Sequence, residues 1–200
     1  MSNWSAATFR YVLVGYVSIP LGINVAINAL IGWLLFLDRD SLPVWGLPQS
    51  VAMEIAGTGF LLPLITAMIS SRVLLGHLRS GIVQPIHQTA ASSRIASRLV
   101  DWVGRVLVGQ LLQNASFAGC VLFALTMFPL LTIPAFLALP TLGVDSVDQL
   151  TLIAIKCVYA GLCGFVTTPL IAVGLLCHAG QAHSRQSTEQ DPRESPSVST

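Results

Sequence analysis

The chain has 200 residues, 54% of them hydrophobic and only 10% charged, with a net charge of +1. Soluble domains carry about 25% charged residues, so this composition excludes an aqueous coat over the whole surface. The charge balance by itself argues neither for nor against nucleic acid, and no nucleic-acid partner is expected; the expected partner is the lipid bilayer.

Four apolar runs, 11–37, 51–75, 115–139 and 150–177, hold just three formal charges: Glu54, Lys156 and, near the end of the second run, Arg72. Each run reaches the ~20 residues, at 1.5 Å rise per residue, that a helix needs to cross ~30 Å of hydrocarbon. The fold expected from this is all-α, an integral membrane four-helix bundle. Residues 1–180 form a single membrane domain in this reading, because four spans and short connections leave no room for another.

The first run is too long for the 7–15-residue core of a signal peptide and lacks a small-x-small cleavage site, so it reads as a retained span. It carries Asn24 and Asn28, one turn apart on one face. The 38–50 connection follows, with Asp38, Arg39 and Asp40. The second span has Glu54 in its first turn, where the helix dipole favours an acid.

The connection between the second and third spans is the basic one. Arg79, Arg94, Arg98 and Arg105 lie in it and Arg72 at its entrance, against the one acid Asp101. Cytoplasmic loops carry the Lys/Arg excess, so this connection is expected inside and the two short ones outside, which puts both termini in the cytoplasm. The expected location is the plasma membrane, the inner membrane if the source is bacterial. Arg94, Arg98, Asp101 and Arg105 recur at spacings of four, three and four, opposite Ile95, Leu99, Trp102, Val103 and Val106. This pattern predicts an amphipathic helix over 88–112, lying in the membrane interface with Arg94, Arg98 and Arg105 as its basic face. A cytoplasmic extension of the third span fits it about as well.

The 140–149 connection holds Asp145 and Asp148 without a base. Lys156 then enters the fourth span nearly two turns from its start. The tail, 181–200, is rich in Ser, Gln, Glu, Arg and Pro and is expected to be disordered.

Two further patterns bear on architecture. Gly59-Phe60-Leu61-Leu62-Pro63-Leu64-Ile65 in the second span recurs as Gly164-Phe165-Val166-Thr167-Thr168-Pro169-Leu170-Ile171 in the fourth. This suggests two duplicated hairpins, 9–75 and 106–178, although the first and third spans show no such match. Every span also carries proline (Pro20, Pro63, Pro129 with Pro134, Pro169), which predicts a kink or local unwinding in each.

No hydrolase, nucleotide-binding or metalloprotease motif is present, the histidines all fall on the expected cytoplasmic side, and the cysteines match no zinc pattern. No enzyme activity, cofactor or metal is expected. The candidate site is an intramembrane polar cluster of Asn24, Asn28, Glu54 and Lys156, in which Glu54 pairs with Lys156 and Asn28 hydrogen-bonds one of them. Charges inside a span mark solute or proton pathways often enough that a small transporter or channel-like protein for a polar solute or proton is the leading expectation. A non-catalytic scaffold or accessory subunit is the alternative. Four helices enclose little volume, so an aqueous path would call for a homo-oligomer or a partner subunit.

Overall fold

The computed structural model describes residues 10, 13–37, 40–83, 108 and 110–189, with the backbone alone at 110, 142 and 181–189. Four helices in it are long and apolar enough to cross a membrane, consistent with an all-α membrane protein. A π-helical turn, Val14–Ser18, leads into α1 (Ile19–Leu35). α2 is Val51–Arg79, α3 is Phe117–Ala138 and α4 is Gln149–Glu189.

Side-chain caps set the helix starts. Ser50 Oγ accepts from Met53 N at 3.2 Å to open α2, and Ser116 Oγ accepts from Gly119 N at 3.1 Å to open α3. Each satisfies one of the four donors that a helix start leaves unpaired. Asp148 Oδ2 accepts from Leu150 N and Thr151 N at the start of α4. Before α3, a short helical turn, Gln110–Leu112, is separated from it by Ala115 at φ 46°. The chain therefore breaks between Gln113 and Ser116 and does not run on as one continuous helix. The rest of the segment expected to be amphipathic, including Arg94, Arg98 and Arg105, lies outside the described residues.

The prolines behave differently from one span to another. Pro63, Pro129, Pro134 and Pro169 all sit within uninterrupted helices, whereas Pro20 falls in the first turn of α1, directly after the π-helical turn. At its far end α4 continues to Glu189, into the segment expected to be disordered. Extending an existing helix is far easier than nucleating one, and Gln, Arg and Glu are good helix formers.

α1 packs along α4, α4 along α2, and α2 along α3, while α3 and α4 touch only briefly. The helices thus form a row in the order first, fourth, second, third. In the apolar stretch of the fourth span 67% of the residues are buried and in that of the first only 6%, so α4 is the organising helix and α1 is attached by one face.

The two short connections do not remain loops. β1 (Ser41–Pro43) and β2 (Ser146–Asp148) pair antiparallel, with Ser41 opposite Asp148, Leu42 opposite Val147 and Pro43 opposite Ser146. Val44 N donates to Asp145 O at 2.8 Å and extends the pairing. Leu42 and Val147 both point inward and join Phe36, Val44, Val51, Leu139 and Leu152 in an apolar cluster that caps this end of the row. A second cluster fills the opposite end, where Val83, Val108 and Leu112 from the middle connection return against Leu74, Phe123 and Leu175.

Candidate functional site

Glu54 and Lys156 meet directly beneath the strand cap. The Ser50 cap fixes where α2 begins and so places Glu54 in its first turn. Asp148 does the same for α4, and Lys156 follows about two turns in, on the face turned to α2. Lys156 Nζ donates to Glu54 Oε2 in an ion pair. The same ammonium lies 5.7 Å from the centre of the Phe36 ring, which closes the end of α1. A desolvated cation over an aromatic face is favourable by roughly 2 kcal/mol.

The pair is asymmetric. The Lys156 side chain is 4% exposed and the Glu54 side chain 25%. Lys156 therefore does not snorkel to the surface. Its charge is held inside by one carboxylate and one ring, and α1, α2 and α4 each contribute to that enclosure.

One turn deeper on the same face of α4, Tyr159 Oη and Thr132 Oγ1 of α3 lie 3.4 Å apart in buried surroundings. They meet at Gly59 of α2, where any Cβ would strike both oxygens. Lys156 and Tyr159 thus form a short polar stripe that ties α4 to α2 and α3.

The asparagines stand elsewhere. Asn28 Nδ2 donates to Asn24 O at 2.9 Å, one turn back on its own helix. Asn24 turns its side chain into the notch that Gly164 leaves on α4. Of the four residues expected to cluster, the structure brings Glu54 and Lys156 together and sets Asn24 and Asn28 along the α1–α4 seam, on a neighbouring face. Phe36, Thr132 and Tyr159 complete the site with Gly59; the sequence marks Gly59 as part of a repeated motif and singles out none of the other three. The spacing of Lys156 and Tyr159 by three was the available signal, since such residues share a helix face.

No protein-family model, curated protein or solved structure matches the chain.

Proposed function

We propose that this chain is a non-catalytic membrane subunit that works by packing against another membrane protein. The observation that carries this reading is the enclosure of Lys156. An ammonium that is 4% exposed, paired with Glu54, covered by Phe36 and roofed by an apolar cap resembles a structural tie more than a solute gate. Removing one partner of such a pair would strand a buried charge, so the arrangement locks three helices in one register. α1 fits the same reading, because it is held along one face and leaves Leu30 and Leu34 more than half exposed. Transport of a proton or small polar solute is the second reading, favoured by the quarter-exposed carboxylate of Glu54.

The two readings separate in reconstituted vesicles and in native membranes. The full chain in proteoliposomes is expected to pass protons no faster than protein-free vesicles do. A photo-crosslinker at Leu30 or Leu34 in native membranes is expected to give a discrete protein adduct. Proton flux in the wild type that Glu54→Gln abolishes, with lipid adducts alone from the crosslinker, would favour transport instead.

The proposed orientation puts the strand cap outside and both termini in the cytoplasm. Asp40, Asp145 and Asp148 at the capped end and Arg72 and Arg79 at the other support it. Labelling of Asp145→Cys by an impermeant thiol reagent from the outside of intact cells tests it.

We further propose that the two halves are duplicates related by a pseudo-two-fold axis along the membrane normal. Exchanging the first helix with the third and the second with the fourth leaves the row first, fourth, second, third unchanged but for its direction. Leu42 and Val147 are central partners in the strand pair, and Val147 stands as many residues after Leu42 as Gly164 stands after Gly59. At that same offset Leu37, Asp40 and Ser41 fall on Leu142, Asp145 and Ser146. The Gly-Phe start of the helix motif and the strand register therefore agree on one offset, while the Pro-Leu-Ile end of the motif lies one residue further on.

A further inference from the structure

Two buried polar atoms, Asn24 Nδ2 of α1 and Thr168 Oγ1 of α4, have no hydrogen-bond partner in the chain. Thr168 is fully buried. Its neighbour Thr167 donates its hydroxyl at 2.7 Å to a backbone carbonyl one turn back, the usual resolution for a threonine in a membrane helix. Thr168 has no such bond.

Geometry puts both orphans in one place. Asn24 fills the notch at Gly164, and Thr168 lies one turn further along the same face of α4. α1 and α4 run antiparallel. Side chains lean toward the N-terminus of their own helix, so Asn24 leans toward Pro20 while Thr168 leans back toward Gly164. The two therefore lean toward each other across about one turn, ~5 Å. Two hydrogen bonds of ~2.9 Å laid end to end bridge a gap of that order. The backbone of α1 is irregular just below, where Val14–Ser18 is π-helical and Pro20 supplies no N–H. Such bulges recur at functional positions.

We propose that this seam binds one water molecule, which accepts from Asn24 Nδ2 and donates to Thr168 Oγ1. Its second proton is available to a backbone carbonyl in the stretch where Pro20 contributes no donor. The bridge gives each of the two atoms a hydrogen-bond partner and fixes the irregular start of α1 against α4. A buried water commonly makes about three such bonds.

Thermal unfolding of the full chain in lipid nanodiscs tests this with Thr168→Val, Asn24→Leu and the double variant. Each single variant is expected to lower Tm by about 2–4 °C, and the double variant to lower it little further, because either change already breaks the bridge. A Thr168→Val protein with unchanged or raised Tm would overturn the proposal, since removing an orphaned hydroxyl relieves a cost instead of breaking a bond. A high-resolution structure in lipid supplies the second arm. Density for a water within ~3 Å of both atoms supports the bridge; a direct bond between Asn24 and Thr168, or a dry seam, overturns it.

Discussion

Two faces of α4 handle buried polar groups in opposite ways. Toward α2 and α3, Lys156 meets Glu54 and Phe36, and Tyr159 meets Thr132, so every polar group on that stripe has a named partner. Toward α1, Asn24 Nδ2 and Thr168 Oγ1 are buried without a partner in the chain. Both faces are built on small residues that let backbones approach, Gly59 on the first and Gly164 on the second. Close helix approach and pairing of side chain with side chain are thus separate properties, and only the first face combines the two. The satisfied face holds the helices that bury most; the other holds the one that buries least.

The largest test of that contrast removes the charge partner. Glu54→Leu leaves the Lys156 ammonium enclosed and unpaired, and is expected to cost about 3 kcal/mol in reversible unfolding. The double variant Glu54→Leu with Lys156→Met should recover most of the loss, because two well-packed apolar side chains can replace a buried pair. A single variant that costs less than about 0.5 kcal/mol, the scale of a surface pair, would show that the pair does not hold this face together.

A middle-sized effect is expected from the two glycines. Gly59→Ala drives a methyl group against the Tyr159 and Thr132 oxygens, which are fixed from two helices, and should cost about 1–3 kcal/mol. Gly164→Ala meets only the end of the Asn24 side chain, which can swing aside, and should cost clearly less. Equal losses of Tm in the two variants would erase the difference between the faces.

The smallest effect lies at the start of α4, outside both faces. The Thr151 hydroxyl, then the Thr151 and Leu150 backbone N–H groups, hold the Asp148 carboxyl below its ordinary value. A carboxylate with a lowered folded-state pKa stabilises above its unfolded value and loses that contribution as pH falls through the folded one. Asp148→Ala is therefore expected to lower Tm at about pH 7 and to match the wild type at about pH 2, measured on paired melts. A difference that persists in acid would mean that Asp148 acts through something other than its charge.

Much of this was legible before any coordinates. The four spans follow from runs too apolar for any solvent but lipid, and Glu54 with Lys156 stood out because a bilayer tolerates few charges. Their pairing was legible as an expectation, since both sit near the same end of helices that run the same way. The asparagines misled because two polar residues at the same depth need not share an azimuth, and depth is all that a sequence reports before helices are placed around one another. The strand cap was hidden for a different reason. Ser41–Pro43 and Ser146–Asp148 are three residues each and lie far apart in the chain, so neither has the length or periodicity to announce a strand.

By itself, then, the amino-acid sequence determined that this chain forms four apolar helices, and that Glu54 and Lys156 are charges set within them. These are local properties, set by hydropathy and by caps such as Ser50 and Asp148. Only the tertiary structure decided that α1 joins α4 and not α2, that the short connections pair into a cap, and that Lys156 is enclosed by Phe36. Inside lipid all four apolar surfaces are equally at home, so hydrophobicity cannot choose among neighbours. That choice falls to close packing at Gly59 and Gly164 and to a few polar contacts, and these exist only once the helices meet.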